Sequence, residues 1–406
     1  MLNRRRLLKK LSAIPFLGAF TTPLLGDTSL NVLSATKYRR DLFKELGLRT
    51  FINCAGPFTS MTGCLMPEEV LETLKTTGRQ YVDLDTLQEK VGERIAELLD
   101  CEAAIVSSGC FGAMTIAAAG TISGMDQKVV NQLPDTKGLK NEVILQESHM
   151  GGYIRAVTNV GAKLVLIKSE DDLRKAVNKK TCMMWFLNKY NHKGEINDQQ
   201  WAALGKKYQI PTLNDCASDI PPVDNLFKYT SMGFDMVTFS GGKGLRGPQS
   251  AGLLIGKKKY IEAARLHTPP RTNVGRAMKV NKEEILGMLV ALEVYLAKDH
   301  QQEWSMWEDQ IKHIQDSAET VDGVTTEVFL PEIANEVPTL RIDWDHSKYN
   351  LKPKEVREKL KVGHPSILTW PTDETLQITT WMMEPGQERI VADRVKQVLQ
   401  ESISAG

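Results

Sequence analysis

The sequence lacks the motifs that most directly mark metal and nucleotide sites. Without a C-x-x-C pair, an H-E-x-x-H spacing or clustered carboxylates, it predicts neither a structural zinc nor a catalytic metal. Neither a P-loop nor a G-x-S-x-G motif occurs, which excludes those phosphate-binding and nucleophile signatures. After the N-terminus, no run approaches the ~18 apolar residues that a membrane-spanning helix needs.

The chain also lacks an excess of charge of one sign, with 51 Lys and Arg against 50 Asp and Glu in 406 residues. Five of the basic residues and no acidic one lie in residues 1–26, so the formal net charge of +1 becomes −4 without that segment. A mildly acidic body does not indicate a nucleic-acid partner. Its 42% hydrophobic content and its length are typical of a globular protein with two domains.

The N-terminus has the layout of an export signal. The basic segment Arg4–Lys10 (RRRLLKK) precedes an apolar stretch without charge, Leu11–Gly26. Paired arginines followed by Leu-Leu-Lys resemble the twin-arginine signal, which exports proteins that have already folded. We therefore predict the twin-arginine export machinery as a partner and the periplasm as the location. The alternative is a basic tail on a cytoplasmic protein, and no small-x-small site follows that would define a cleavage point.

Six cysteines are scattered along the chain, and several lie in apolar runs, where cysteine behaves as a small hydrophobic residue. An even count in an exported protein permits disulfides, but folding in a reducing cytoplasm disfavours them. We expect no obligatory disulfide framework among Cys54, Cys64, Cys101, Cys110, Cys182 and Cys216.

Short apolar runs alternate with helix-length segments between residues 65 and 256. Continuous apolar runs separated by helices predict an α/β fold with a mostly parallel sheet of seven strands and helices on both faces. Such a sheet binds ligands beyond the carboxyl ends of its strands. The predicted strands are Ala103–Ser107, Glu142–Gln146, Lys163–Ile167, Cys182–Leu187, Ile210–Asn214, Met236–Ser240 and Gly252–Ile255.

A second, smaller α+β domain is predicted after an amphipathic helix over Glu283–Leu296. Its strands are expected at Val324–Phe329, Thr339–Trp344 and Leu376–Trp381, with a last helix over Glu388–Ser402. We divide the chain into a signal and linker (1–35), an N-terminal arm (36–64), a large domain (65–275), and a linking helix with the small domain (276–406).

One lysine, Lys243, lies among small residues in the loop Ser240–Gly252 (SGGKGLRGPQSAG), directly after a predicted strand. An amine held by glycines, with no bulky neighbour to block a planar ligand, favours a Schiff base with pyridoxal 5′-phosphate. The spacing Gly242-x-Gly244-x-x-Gly247 also matches a dinucleotide motif, but that motif needs a helix at the loop, and a second apolar run follows instead. The third alternative is a hairpin turn with a solvated lysine.

Two side chains are candidates for contacts with the pyridoxal ring. Asp215, directly after the strand Ile210–Asn214, would lie beside the pyridine nitrogen and keep it protonated. Its alternative role is to cap a helix. His149 follows the strand Glu142–Gln146 and would stack on the ring, with Tyr153 as a weaker candidate. The alternative for His149 is an ordinary surface or core histidine.

Further candidates would bind anions. Backbone amides at the helix start formed by Ser108, Gly109 and Cys110 would hold the cofactor phosphate, and the Ser240 hydroxyl could add to them. Before the helix Glu283–Leu296, three cations could bind a substrate carboxylate or phosphate, or they could form a solvated face. These cations are Arg271, Arg276 and Lys279.

Several motifs in one order resemble the selenocysteine synthase-related family of fold type I pyridoxal phosphate enzymes. The resemblance is closest to the short members typified by D-glucosaminate-6-phosphate ammonia-lyase, and it runs from about Leu46 to Gln400. The motifs that carry it are Phe51–Gly56 (FINCAG), Leu65–Val70 (LMPEEV), Leu87–Ala96 (LQEKVGERIA), Asn214–Pro222 (NDCASDIPP), the SGGKGLRGP loop, and Arg276-x-x-Lys279-x-x-Lys282-Glu283-Glu284.

The resemblance implies an aspartate aminotransferase-like large domain, with Lys243 as the Schiff-base lysine and Asp215 as the partner of the pyridine nitrogen. It also implies a homodimer, or a higher homo-oligomer, with active sites at the subunit interface. The segment Thr59–Cys64 (TSMTGC) departs from the family because it lacks the usual arginine, which argues against a phosphorylated substrate. An export signal stands where the selenium transferase has its tRNA-binding domain, which argues against a tRNA substrate.

These features together predict a pyridoxal phosphate-dependent lyase of the ammonia-lyase type. It would eliminate water and ammonia from a small β-hydroxy amino acid, for example a sugar-derived aminonate such as D-glucosaminate, to give a 2-keto acid. Lys243 would act as the base at Cα. One alternative is a racemase or transaminase, since the same Cα proton is removed first. Another is a non-catalytic exported binding protein on the same fold.

Overall fold

The computed structural model describes residues 40–345, 349 and 351–404, and the predicted export signal lies outside them. The α-helices are α1 (Leu42–Glu45), α2 (Glu68–Thr77), α3 (Leu84–Leu99), α4 (Gly109–Ser123), α5 (Gln127–Gln132), α6 (Arg155–Thr158), α7 (Glu170–Ala176), α8 (Asp198–Tyr208), α9 (Asn225–Met232), α10 (Lys258–Arg265), α11 (Lys282–Ala297), α12 (His300–Ala318), α13 (Pro353–Val362) and α14 (Gln387–Ser404). Among these described helices, none is both long and apolar enough to cross a membrane.

The β-strands are β1 (Phe51–Cys54), β2 (Ala103–Ser107), β3 (Glu142–Gln146), β4 (Lys163–Ile167), β5 (Thr181–Leu187), β6 (Thr212–Asp215), β7 (Met236–Ser240), β8 (Gly252–Gly256), β9 (Val324–Phe329), β10 (Thr339–Trp344), β11 (Ser366–Thr369) and β12 (Leu376–Thr379). Short 3-10 segments lie at Thr59–Met61, Glu147–His149, Gly152–Ile154 and Asn188–Lys193.

Seven strands form one sheet in the order β2-β8-β7-β6-β5-β3-β4. The strands from β7 to β4 in that order pair in parallel, and β8 is antiparallel to both of its neighbours. All residues of β5 and β6 are buried because helices cover both faces of the sheet. The predicted mostly parallel sheet of seven strands is confirmed.

On one face of this sheet, local sequence sets the bounds of the covering helices. The Asp83 carboxylate caps α3 by accepting a hydrogen bond from the Thr86 amide, and Asp100 ends the helix in a left-handed conformation. Asn281 and Glu284 form a capping box at the start of α11. Because α11 packs on α2 and α3, the predicted linking helix contributes to the core of the large domain.

The opposite face is covered by α4 and α10. Helix α4 is rich in alanine and largely buried, and it packs closely on α10. At the crossing point a Cβ atom on Gly120 would lie 2.5 Å from the backbone nitrogen of Ala264, so only glycine allows this approach. The first turn of α4 begins two residues after β2 ends, which places that turn at one edge of the sheet.

The small domain contains the antiparallel sheet β12-β10-β9 and helices α12, α13 and α14. It also takes in β1, which pairs in parallel with β11 so that Phe51 lies opposite Ser366. Ile52 and Cys54 are buried in the same core as β10 and α14. The predicted N-terminal arm thus adds a strand to the small domain, and both β1 and β11 are strands that the sequence analysis did not predict.

Candidate active site

A cavity of about 300 Å³ lies at the carboxyl ends of β5, β6 and β7, where the sequence predicts a ligand site. Its wall includes Lys243 from the loop after β7 and Asp215 from the end of β6. Gly109 and Cys110 from the start of α4, and Ser240 from the end of β7, also line it. The fold therefore brings five of the predicted site residues to one cavity.

Close packing of glycines positions Lys243. A Cβ atom on Gly242 would lie 2.3 Å from the Gln249 Cα atom, and one on Gly244 would lie 2.1 Å from the Ile220 carbonyl oxygen. These contacts fold the loop tightly against its surroundings, and the Lys243 Nζ donates a hydrogen bond of 2.7 Å to the Ser218 Oγ. The loop leads into β8 and not into a helix, so the structure does not support the dinucleotide alternative.

Asp215 is the last residue of β6 and is 3% exposed. Its Oδ1 accepts a hydrogen bond of 3.1 Å from the Ala217 amide within a turn, and no helix follows there for it to cap. Burial raises the pKa of Asp215 to about 6, although the Lys243 ammonium opposes that rise. A cationic ring nitrogen placed beside this carboxylate would compensate for its burial.

A second buried carboxyl, Asp219, lies on the same cavity wall. Its Oδ2 accepts hydrogen bonds from Asn188 Nδ2 at 2.6 Å and from the Tyr229 hydroxyl at 3.1 Å. Burial, together with the nearby Asp215 carboxylate, raises the pKa of Asp219 to about 7. Asp219 and Ser218 are site residues that the sequence did not indicate, although both lie inside the NDCASDIPP motif.

The predicted phosphate cradle is present in part. Gly109 and Cys110 belong to the first turn of α4, whose amides have no partner within the helix. Gly109 has a φ of +65°, and a Cβ atom on Gly252 would lie 2.6 Å from its carbonyl carbon, so both positions favour glycine. Ser108 instead lines a separate small cavity with Gly112, because the turn directs it to the other side.

His149 does not line the cavity, which corrects the prediction that it stacks on a ring there. It is fully buried, and its Nδ1 accepts a hydrogen bond of 3.2 Å from the Leu187 amide. The Nε2 therefore carries the proton and donates to the Tyr190 carbonyl oxygen at 3.1 Å. Burial lowers the pKa of His149 to about 4, so it is neutral. Tyr153, the weaker candidate, does line the cavity.

The three cations predicted to bind a substrate anion are likewise not brought to the cavity within one chain. Arg271 forms an ion pair of 3.0 Å with Asp85, while Arg276 and Lys279 are exposed. Their segment is held elsewhere because Gly275 packs directly under the His267 backbone, where a Cβ atom would lie 1.8 Å from the carbonyl oxygen. A run of cations in sequence carries no information about the direction in which its side chains point.

The donors present fit pyridoxal phosphate. Lys243 supplies an amine for the aldehyde, Asp215 a buried carboxylate for the ring nitrogen, and the start of α4 amides for a phosphate. The Ser240 hydroxyl lines the same cavity. These groups come from three different elements, as a single ligand that spans the sheet edge requires.

Comparisons with known proteins agree with this geometry. The family model for L-seryl-tRNA selenium transferase (SelA) matches residues 156–334. D-glucosaminate-6-phosphate ammonia lyase from Salmonella typhimurium (strain 14028s / SGSC 2262) is 25% identical in an alignment of length 338 that covers 80% of this chain and 88% of that protein. A 5′-C-glycyluridine monooxygenase-decarboxylase from Streptomyces sp is 23% identical over 374 residues, 88% of this chain and 92% of the relative.

Among solved structures, D-glucosaminate-6-phosphate ammonia-lyase superposes with a TM-score of 0.79 at 23% identity, covering 90% of this chain and 99% of that one. Solved pyridoxal phosphate enzymes of lower identity share the fold. The comparisons confirm the predicted family resemblance and the fold type I architecture. The prediction of a pyridoxal phosphate-dependent enzyme is borne out with them.

Proposed function

We propose that this chain is a pyridoxal phosphate-dependent lyase of the ammonia-lyase type whose substrate is an unphosphorylated β-hydroxy amino acid. The observation that carries the proposal is the Lys243 amine, held 2.7 Å from the Ser218 hydroxyl in the same cavity as the buried Asp215. The ammonia lyase relative supports the reaction class, because it matches this chain over 88% of its own length.

Pyridoxal phosphate, when bound, withdraws electrons from the substrate Cα so that its proton becomes acidic. Lys243 is the base within reach of the cavity, and it must be neutral to take that proton. Ser218 accepts a hydrogen bond from the Lys243 amine and so holds its nitrogen in a fixed position. Asp215 stays at the base of the cavity as the counter-charge for a protonated ring nitrogen.

The net reaction converts a β-hydroxy amino acid to a 2-keto acid and ammonia. The Cα proton goes to Lys243, and the β-hydroxyl leaves with a proton as water. The resulting enamine tautomerises to an imine, and water hydrolyses the imine to the keto acid and ammonia, so the water lost is regained. Lys243, protonated in the first step, lines the cavity and would return that proton to the departing hydroxyl.

The cavity wall favours a substrate with few negative charges. Of the described residues that line it, Lys189 and Lys243 carry the positive side chains. That number suits one carboxylate beside the cofactor, whereas a phosphorylated aminonate would bring a further dianion. D-glucosaminate is therefore a better candidate than its 6-phosphate, which is the compound named for the relative.

Product analysis with the purified full chain tests the proposal. With added pyridoxal phosphate, we would incubate the protein with D-glucosaminate, D-glucosaminate 6-phosphate and both enantiomers of serine and threonine. Equal amounts of 2-keto acid and ammonia from an unphosphorylated compound are expected, with Lys243→Ala as the inactive control. The opposite enantiomer alone would establish a racemase, and a keto acid without ammonia would establish a transaminase. A protein that takes up no cofactor would favour a binding role.

Export and assembly are part of the same proposal. The basic and apolar layout of the N-terminus supports export to the periplasm by the twin-arginine machinery. Large side chains exposed near the cavity, Phe111 at 39% and Tyr153 at 63%, support a homodimer that covers them. Cell fractionation of a variant with Arg4 and Arg5 changed to lysines tests export, since the variant should stay in the cytoplasm. Measurement of the protein's mass in solution tests the homodimer.

A further inference from the structure

A short turn after β5 carries a lysine to the cavity. Lys189 is exposed there and lines the cavity wall. Its side chain forms no ion pair or hydrogen bond within the described part of the chain. The other cation of the wall, Lys243, is hydrogen-bonded to Ser218 and is committed to the cofactor. Lys189 is thus the positive charge in the cavity that the proposed mechanism does not use.

The backbone of this turn is held from two sides, although the lysine itself is free. His149 contacts both ends, since its Nδ1 accepts from the Leu187 amide and its Nε2 donates to the Tyr190 carbonyl oxygen. The residue between them, Asn188, donates to the Asp219 carboxylate at 2.6 Å. A charge on a turn fixed in this way has a defined position, which is what recognition of a ligand requires.

The cavity has two ends of opposite charge: a buried end, which we call its base, and an end open to solvent, which we call its mouth. The carboxyl groups of Asp215 and Asp219 lie buried at its base, where a substrate carboxylate would be repelled. Lys189 lies on the exposed part of the wall, where the same carboxylate would find an unpaired ammonium. The next lysine, Lys193, differs in both respects. It lies over the Tyr190 ring, 4.2 Å from the centroid, and lines a different pocket.

We propose that Lys189 binds the α-carboxylate of the amino acid substrate and thereby selects α-amino acids over simple amines. The inference rests on the proposed function only in placing an amino acid at this cavity. It is independent of whether the bound compound then loses ammonia, changes configuration or exchanges its amino group, because all three reactions leave the carboxylate in place.

Stable cofactor conjugates test this without any turnover. N-(5′-phosphopyridoxyl)-serine, in both enantiomers, and N-(5′-phosphopyridoxyl)-ethanolamine differ only in the carboxylate. Their dissociation constants would be measured by calorimetry on the full-length protein freed of cofactor, for wild type, Lys189→Met and Lys189→Arg. Lys193→Met serves as the matched control because it removes a neighbouring charge that does not line the cavity.

Wild type should bind one serine conjugate about 10- to 100-fold more tightly than the ethanolamine conjugate, as a charge-assisted pair provides. Lys189→Met should bring that ratio close to one, while Lys189→Arg and Lys193→Met keep it. A Lys189→Met ratio equal to that of wild type, or a wild-type ratio near one, would overturn the proposal. A parallel assay for 2-keto acid on wild type reports on the lyase activity alone. The proposed lyase function and the proposed role of Lys189 can therefore fail separately.

Discussion

The base and the mouth of the cavity are built in opposite ways. At the base, Asp215 and Asp219 are almost fully buried and hydrogen-bonded to neighbouring amides and side chains. At the mouth, Lys189 and Tyr153 are exposed, and Lys189 is carried on a turn that hydrogen bonds hold in place. We therefore expect the base to bind the cofactor, which is the same in every reaction cycle, and the mouth to contact the part of the substrate that differs from one compound to another.

The largest effect on turnover is expected for removal of the Lys243 amine, which lines the cavity together with the residues of its base and its mouth. Lys243→Ala removes both the bond to the cofactor and the base, so turnover should fall by about 10³-fold or more. Product formation in steady state measures this, and mass spectrometry after borohydride reduction shows whether the cofactor is still attached. Binding of N-(5′-phosphopyridoxyl)-serine to the variant separates loss of chemistry from loss of the fold. Turnover within tenfold of wild type would contradict the assignment.

Asp219→Ala removes hydrogen bonds at the base of the cavity. It removes the acceptor of the Tyr229 hydroxyl and one of the two acceptors of Asn188 Nδ2, which still donates to the Tyr229 oxygen at 2.8 Å, at a cost of about 1–3 kcal/mol in the free energy of unfolding. Asp219→Asn keeps an acceptor oxygen and should recover most of that loss. Urea unfolding of the cofactor-free protein compares the three. Equal stability of the alanine variant and wild type would show that the hydrogen bonds at the base do not matter.

Asp219 also sets a pH dependence of defined sign. Its pKa is raised from 3.8 to about 7, and that of Asp215 to about 6, so the folded protein binds more protons than the unfolded chain between these values. The stability they contribute is complete below pH 3.8 and is lost as the pH rises through 6 to 7. Urea midpoints across that range should fall less steeply in Asp219→Asn than in wild type.

His149→Gln tests the link between the two regions and has a smaller effect. A glutamine amide places its acceptor and donor differently from the two imidazole nitrogens, so its hydrogen bonds to the Leu187 amide and the Tyr190 carbonyl should weaken and the turn that carries Lys189 should loosen. We expect KM for the substrate to rise about 3- to 10-fold with kcat changed less. His267→Gln is the control, because it alters another buried histidine that does not line the cavity. Equal rises in both variants would indicate general destabilisation.

The two histidines should act on stability in the opposite sense from the carboxyls. Burial lowers the pKa of His149 and of His267 from 6.5 to about 4, so the unfolded chain binds more protons between these values. Their contribution is present above pH 6.5 and is lost as the pH falls through 4. The carboxyls act in the opposite direction over part of this range, so the test is the difference between two proteins: on acidification from pH 6.5 to 4, wild type should lose stability relative to His149→Gln.

The smallest change in stability is expected at the mouth. Tyr153→Ala removes a side chain that is 63% exposed, so the free energy of unfolding should stay within about 0.5 kcal/mol of wild type. Its effect should appear instead in the ranking of substrates by kcat/KM. Thermal unfolding together with a panel of hydroxy amino acids would show this. A large loss of stability would mean that the side chains at the mouth contribute to the free energy of unfolding as much as those at the base.

Sequence patterns predicted the frame of the fold because long apolar runs belong to buried strands. Strands β2, β3, β4 and β7 have the predicted bounds, and so do β9 and β10. Strands β1 and β11 could not be predicted from the sequence because each has four residues and pairs with a partner more than 300 residues away. A short segment of that kind carries too little periodicity to be distinguished from a loop.

The residues of the candidate site likewise include some that local sequence patterns predict and some that they do not. Lys243 and Asp215 could be located because a residue that follows a parallel strand must lie at the carboxyl edge of the sheet. His149 follows a strand as well, but its ring is turned inward by hydrogen bonds to a segment about 40 residues later. Lys189 lies in an irregular turn whose neighbours in space come from distant parts of the chain, so no local pattern marks it.

The pairing of β1 with β11 has a consequence for the order of assembly during synthesis. Since Phe51 pairs with Ser366, the first strand stays without its partner until nearly the whole chain has left the ribosome. The hydrophobic side chains of Ile52 and Cys54 remain unburied for the same time. A chain that terminates before Ser366 would therefore display β1 as a strand with an unpaired edge, which favours association with other chains.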